Sequence, residues 1–404
     1  MPPHSSLPPP PGAPAAPAQP LLSRNGSAQQ KDLLRKASDM LKAGQHSQAR
    51  EICRRLLMED PSIPEALQIL GRCRFDLSQF ATAPTRARVG PQSGVSPRAE
   101  PALPGSDEAL RNLLENLFVH VGFRKLQQLG FHLQRNDFYS PLNDCDFLQQ
   151  NYDLWHDQPD PPEIDWRVDD QLAAAREIAP FLEELRDIPQ SPPADCHAYG
   201  WENGFWNNAD ALVQYGLVRS RKPELYVEIG CGWSSLLLKQ ALEFNEQEGH
   251  PADVTLIEPY PNPRIFPHLP SSWRHHPAIL QRVSFSVFDA LAAGDVLFYD
   301  GSHCSKIASD VNWFFFRVLP RLQPGVIIHL HDIVLPDDYF DPYVFQRGQT
   351  WNEQFLLQAF LMHNPAYRIL IANRFLWRKK AAELDQLYRG IQPSHGCSFW
   401  MQKL

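Results

Sequence analysis

The chain lacks the features that would mark it for the cell exterior, a membrane or nucleic acid. Its seven cysteines (Cys53, Cys73, Cys145, Cys196, Cys231, Cys304 and Cys397) are odd in number and scattered, and they form no C-x-x-C pair. That argues against a disulfide framework and against a structural zinc cluster, and it suits free thiols in a reducing compartment. No apolar run reaches membrane-spanning length, and the N-terminus has no apolar signal segment. Basic residues are in deficit, with 38 lysines and arginines against 46 acids for a net charge of −8, so no basic face emerges for a nucleic acid. These absences predict a cytoplasmic protein with neither a nucleic-acid nor a membrane partner.

Proline is plentiful, at 38 residues, and concentrated. Residues 1–29, mostly Pro, Ala and Ser, bury too little apolar surface to offset their ordering entropy and predict a disordered tail. Residues 81–106, rich in Pro, Ala, Arg, Gly and Ser, read as a linker. Between them the pattern is helical. Leu33, Leu34, Ala37, Met40 and Leu41 recur at steps of three and four up to Gly44. A second helix spans His46 to Met58 and closes at Asp60-Pro61, and a third opens near Pro64. Ala49, Cys53, Leu56 and Pro61, with Leu67, Leu70 and Gly71 a unit later, resemble a tetratricopeptide repeat. Lys36 and Ala37 depart from it, standing where Leu-Gly is expected, and a plain helical hairpin is the alternative. The resemblance implies that residues 30–80 dock a protein partner and do no chemistry.

Residues 107–198 read as a helical lead-in that packs beside or caps the domain after it, with Leu110, Leu113, Leu114, Leu117, Phe118 and Val121 on one periodic face. From residue 199 to 404 strand-like and helix-like pieces alternate. Leu225–Ile229, Val254–Glu258, Val283–Val287, Asp295–Asp300, Val326–Leu330, Tyr367–Ala372 and Cys397–Gln402 are the predicted strands. Helices are predicted at Trp233–Phe244, Ser305–Leu319 and Glu353–Met362. Such alternation predicts an α/β fold, an open, mostly parallel sheet covered by helices on both faces, with the last two strands as an antiparallel pair.

Ligands of such sheets lie at the carboxyl ends of the strands. There the chain places Glu228, Glu258, Asp289, Asp300, and His331 with Asp332. The first strand runs into Gly230 and Gly232 and then a helix, a turn whose backbone N–H groups can face a ligand. A carboxylate after the second strand suits a ribose diol, which can donate two charge-assisted hydrogen bonds to it. The remaining acids, with His331 and the nearby His303, offer proton-transfer chemistry.

Glu228-Ile-Gly-Cys-Gly-Trp-Ser-Ser, Ile257-Glu258-Pro-Tyr, Asp289-Ala290, Tyr299-Asp300-Gly-Ser-His303, Leu322-Gln-Pro-Gly-Val-Ile-Ile and His331-Asp332-Ile resemble a class I S-adenosylmethionine-dependent methyltransferase. The likeness is closest to a bacterial group whose fourth strand ends in Asp-Gly-Ser-His and whose fifth ends in His-Asp. It implies a Rossmann-like seven-stranded sheet over residues 199–404, with S-adenosyl-L-methionine as cofactor. It further implies that Glu228, Gly230, Gly232 and Ser234 hold the methionine and ribose side, that Glu258 binds the ribose, and that Asp289 sits near the adenine. His303 and His331 are the candidate bases, with Asp300 and Asp332 orienting them or holding a divalent metal, which is left open. The third glycine of the common motif is Ser234 here, acceptable if its hydroxyl caps the helix. Tyr199, Asn203 and Trp206 are expected to roof the cofactor, and His275-His276 to lie in a solvated loop. The acceptor, a small molecule or glycan methylated on oxygen, is not specified by the residues. A docking scaffold with a non-catalytic sheet and a nicotinamide-dependent oxidoreductase are the competing readings; against the second, the turn lacks G-x-G-x-x-G and its strand carries Glu228.

Overall fold

The computed structural model describes residues 28–43, 107–156 and 158–404, together with Gln45, Gln48, Ala49, Ile52, Cys53 and Leu56. The chain divides into two units, residues 1–84 and 85–404, each described by itself. In the first, α1 (Ala28–Lys42) sets Ala37 against Cys53 and Leu56, with Leu33, Leu34 and Ile52 around them. The tail up to residue 27, most of the second helix, the third helix near Pro64 and the linker over 81–106 lie outside the described residues. The last two residues of the expected tail open α1.

The lead-in divides at about residue 143. Helix α2 (Asp107–Asn116) buries no residue, and Leu110, Leu113 and Leu114 are 36%, 44% and 40% exposed, so the expected packing against the following domain fails here. After residue 143 it holds. Trp155 joins Val334, Tyr339 and Val344 in a small core, and Trp166 stacks on Phe375 at 4.0 Å. Helix α3 (Val168–Ile178) carries the buried Gln171, whose Oε1 accepts from the Ala372 amide at 2.8 Å.

Next come α4 (Asn208–Arg221), β1 (Leu225–Ile229), α5 (Trp233–Gln247), β2 (Asp253–Ile257), β3 (Arg274–His276), β4 (Val296–Tyr299) and β5 (Ile327–Leu330). The chain closes with α6 (Glu353–Leu361), β6 (Tyr367–Ala372), α7 (Asn373–Leu387) and β7 (Phe399–Lys403). The sheet order is β3-β2-β1-β4-β5-β7-β6, parallel from β3 to β5, with β7 antiparallel to both neighbours. This is the predicted seven-stranded α/β sheet, and the late strands do pair antiparallel, though β7 inserts between β5 and β6. Both faces are covered. Tyr226, Phe298 and Trp400 enter one core with α3, α4 and α5, and Val227, Ile229, Leu297 and Tyr299 enter the other. Burial on both faces is why these strands read as mostly apolar runs.

Three predictions need correction. Val283–Val287 is not a strand; it leads into a single helical turn, Ser286–Asp289. The third strand is Arg274–His276, so His275 and His276 lie in the sheet edge, where the His275 Nε2 meets the Glu258 carbonyl at 2.9 Å. The helix expected from Ser305 starts at Asp310, where the Ser309 hydroxyl accepts from the Asn312 amide at 3.1 Å. Among the described residues no helix is long and apolar enough to cross a membrane.

Candidate active site

Register builds the site. Ile229 pairs with both Ile257 and Tyr299, and Tyr299 with Leu330, so the residues one step beyond β1, β2, β4 and β5 line up along the carboxyl edge. Those residues are Gly230, Glu258, Asp300 and His331. The ladder extends to each of them: Gly230 donates to the Ile257 carbonyl (3.0 Å), Asp300 to Ile229 (2.9 Å), His331 to Tyr299 (3.2 Å) and Glu258 to His276 (3.1 Å).

The turn after β1 is shaped for close approach. Gly230 has φ +83°, and a Cβ there would run into the Asp300 carbonyl oxygen, so only glycine fits. Gly232 is extended, and a Cβ on it would meet nothing within 4 Å. The backbone at the start of α5 is therefore open to a ligand. Below it Glu228 is fully buried, its Oε1 accepting from the Ser234 hydroxyl (2.6 Å) and the Ser235 hydroxyl (3.0 Å), while its Oε2 has no partner. The cap of α5 is the Ser235 Oγ, which accepts from the Gly232 amide at 3.1 Å. The hydroxyl expected to cap, that of Ser234, is spent on Glu228.

Burial lifts the Glu228 carboxyl from 4.5 to about 8. Its folded value thus exceeds its unfolded one, so folding takes up a proton between them and the unliganded protein loses stability as pH rises through that window. Glu228→Gln keeps the shape and removes the titration. Its melting temperature relative to the parent should climb from pH 5 to pH 8 in thermal scans; a constant offset would mean that Glu228 is already ionised when folded.

One strand over, two imidazoles converge on two aspartates. His303, 8% exposed in its side chain, sets Nε2 3.3 Å from Asp300 Oδ1 and 3.4 Å from Asp332 Oδ2. Its Nδ1 donates to Glu353 Oε2 at 2.9 Å, and Glu353 is fully buried. His331 sets Nδ1 4.0 Å from Asp300 Oδ1 and 3.8 Å from Asp332 Oδ2, while its Nε2 is 3.5 Å from Asp210 Oδ2. Asp300, His303 and Asp332 offer one donor atom each, all within 4.8 Å of one another. His303 and Asp332 both hold positive φ (58° and 55°), a conformation that costs non-glycine residues energy and clusters at functional sites.

Local structure explains the Asp-Gly-Ser-His run residue by residue. A Cβ on Gly301 would collide with the Tyr299 hydroxyl and Asp310. Ser302 gives its amide (2.7 Å) and hydroxyl (2.6 Å) to Asp310. The His303 carbonyl accepts from the Asn352 and Glu353 amides (3.0 and 3.3 Å), which pins the loop to the start of α6.

Electrostatics alter the expected roles. Burial opposes charge on both imidazoles, but the carboxylates prevail: Asp300 and Glu353 raise His303 well above its ordinary value, and Asp332 and Asp210 raise His331 to about 9. Both are charged at neutrality, so neither is a ready proton acceptor in this form. Burial would raise Asp300, yet His303 and His331 hold it below the usual carboxylate range. Burial also pushes the Cys231 thiol up, which rules it out as a nucleophile.

Asp289 does not join the group. It ends a helical turn and makes a two-pronged pair with Arg321 (2.8 and 2.5 Å), on the side of the sheet where β4 and β5 begin. Glu258 is at the edge as expected, half-buried, accepting from the Tyr260 amide at 2.6 Å. Tyr199, Asn203 and Trp206 are buried as loop scaffolding: Asn203 Oδ1 accepts from the Phe205 and Trp206 amides, and the Trp206 ring lies 4.5 Å from His331. Asp210 and Glu353 were missed. Glu353 opens a predicted helix and had nothing to single it out, while Asp210 sits in α4, which has no amphipathic period. Beside the cluster Trp351 lies 4.4 Å from His303, with Tyr343 and Tyr339 behind it at 5.2 and 5.7 Å.

A seven-stranded α/β sheet with a glycine turn after its first strand and acids after the next is the methyltransferase type of fold. Residues 227–333, from β1 to just past β5, match the family model described as a methyltransferase domain. An uncharacterized protein of Archaeoglobus fulgidus is 27% identical over 154 residues, which is 37% of this chain and 68% of that relative. Two solved structures of cmcI overlap more loosely. One, described as holding Mg and SAM, is 15% identical over 47% of this chain and 68% of its own, with a TM-score of 0.29. The other, described with SAH, is 16% identical over 47% and 74%, with a TM-score of 0.27.

Proposed function

We propose that residues 199–404 form an S-adenosylmethionine-dependent methyltransferase that methylates a hydroxyl of a small-molecule or glycan-type acceptor. The observation that carries this reading is the open backbone at Gly232, flanked by Glu258 on one side and by the Asp300–His303–Asp332–His331 group on the other. Two features fit the cofactor. Among the described residues Glu228 Oε2, beneath the turn, has no partner, and a Cβ on Gly232 would meet no atom within 4 Å. Glu258 is the ribose carboxylate in this reading.

When bound, S-adenosylmethionine would supply an electrophilic methyl group whose bond to sulfur is exchanged for one to the acceptor oxygen. The protein contributes chiefly alignment, for which about 7–11 kcal/mol of a barrier is available. Trp351 and Tyr343 wall the side from which an acceptor would reach the cluster. In this reading the hydroxyl proton passes to Asp332, the carboxylate that lies between the imidazoles of His303 and His331. Asp300, His303 and Asp332 also fit a divalent cation, which would acidify a bound hydroxyl. The helical module over 30–80 we read as a docking accessory.

Calorimetry with S-adenosylmethionine, S-adenosylhomocysteine and NAD tests the cofactor. Saturable binding of the first two, weakened in Glu258→Ala, is expected; binding of NAD alone would make the sheet an oxidoreductase, and no binding a scaffold. Asp332→Ala, which removes the proposed proton acceptor, should lower methyl transfer about 10²–10⁴-fold with adenosylhomocysteine affinity nearly unchanged, and His303→Ala, which removes its charged neighbour, should lower turnover with the same affinity. Equal loss of both would mean that these residues shape the pocket and not the reaction.

A further inference from the structure

The imidazoles are not placed like lone bases. His303 Nδ1 is hydrogen-bonded to the buried Glu353 at 2.9 Å, His331 Nε2 lies 3.5 Å from the buried Asp210 without a hydrogen bond, and each ring turns its inner nitrogen toward Asp300 and Asp332. A carboxylate behind a histidine is the usual outer partner of a metal-bound imidazole, and an ion entering between the rings would displace the proton that each inner nitrogen carries in the metal-free form. Spacing agrees at His303. Donors about 2.1 Å from one ion stand about 3.0–3.4 Å apart; His303 Nε2 lies 3.3 and 3.4 Å from the two aspartate oxygens, while His331 Nδ1, at 4.0 and 3.8 Å, would have to close in to join them. Among the described ion pairs no lysine or arginine reaches Asp210, Asp300, Asp332 or Glu353; only histidines do.

We propose that His303 is a metal ligand held by Glu353, that His331 stands as a further nitrogen donor held by Asp210, and that with Asp300 and Asp332 they form a mixed nitrogen–oxygen centre preferring a transition-metal dication to magnesium. Magnesium favours all-oxygen, largely hydrated shells, whereas imidazole suits zinc, iron, nickel and their neighbours. The inference rests on the proposed function only for what the centre would serve. Its geometry stands without the cofactor.

Cobalt(II), zinc and magnesium, each titrated alone into the full chain, decide the matter. Cobalt should give visible bands of a nitrogen-containing site and, like zinc, bind about 100-fold or more tighter than magnesium by calorimetry. His303→Gln should change those bands and shrink the preference. Glu353→Gln should weaken cobalt about 10–100-fold while keeping the spectrum. Magnesium binding as tightly as cobalt, bands unchanged in both His303→Gln and His331→Gln, or no saturable binding would overturn the proposal. Adenosylhomocysteine titrated into the same samples reports folding and separates the two readings. Adenosylhomocysteine binding without metal binding sinks only the metal centre, while metal binding without adenosylhomocysteine leaves the centre standing and sinks the methyltransferase.

Discussion

Gly230→Ala should abolish adenosylhomocysteine binding and lower the melting temperature by about 10 °C, whereas Gly249→Ala should cost only a few degrees. Both glycines hold a left-handed backbone (φ +83° and +86°), which costs an L-residue about 1–2 kcal/mol. They differ in surroundings. A Cβ on Gly249 meets nothing within 4 Å, while one on Gly230 strikes the Asp300 carbonyl and must push β1 from β4. That raises the loss to about 3–4 kcal/mol, or roughly 10 °C for a unit of this size. Gly232→Val separates stability from binding. Its backbone is extended and its surroundings empty, so the fold should tolerate a side chain that enters the proposed cofactor space. Melting curves and calorimetry on the three variants give the answer. Equal losses for Gly230→Ala and Gly249→Ala would remove the close approach from the account, and full binding in Gly232→Val would move the cofactor elsewhere.

Asp210→Ala is the second large effect, about 3–5 kcal/mol. One buried carboxylate accepts from the Cys397 amide (2.8 Å), the Ser398 amide (2.6 Å) and Asn373 Nδ2 (2.8 Å), and faces His331. Burial would raise it, yet His331 and these donors keep it below the usual carboxylate range. Removing it strands three donors and leaves His331 without its outer partner. Chemical denaturation of variant and parent measures the loss. A change under 1 kcal/mol would mean that water replaces the carboxylate and that Asp210 holds nothing in place.

What could be read in advance follows from how each residue is specified. β1 and β6 were legible to the residue because, apart from Glu228 and Arg368, each is a largely buried apolar run. Helix α4 was not, because every residue from Ala209 to Arg219 is buried and an all-round buried helix has no polar face to mark its period. β3 escaped for the opposite reason: three polar residues at a sheet edge resemble a loop. In the site, Asp300 and His303 announce themselves because Gly301 and Ser302 are locally required between them. Asp289 misled because an acid before an alanine fits the motif, while its partner Arg321 lies 32 residues away. Glu353 and Asp210 carry no local signal, since their partners His303 and His331 are 50 and more than 100 residues distant in sequence. The shift of both histidines toward the charged form likewise depends on those distant carboxylates.

The position of β7 bears on how the protein comes into being. Residues 399–403 sit between β5 and β6, and the amides just before them bind Asp210, which in turn faces His331. On a ribosome the helices and parallel strands emerge first, but the gap beside β5 stays unfilled until β7 arrives, and Asp210 waits for the Ser398 amide across 188 residues of separation. A chain interrupted before residue 397 would therefore carry every residue of the cluster yet lack the Cys397 and Ser398 amides that hold Asp210.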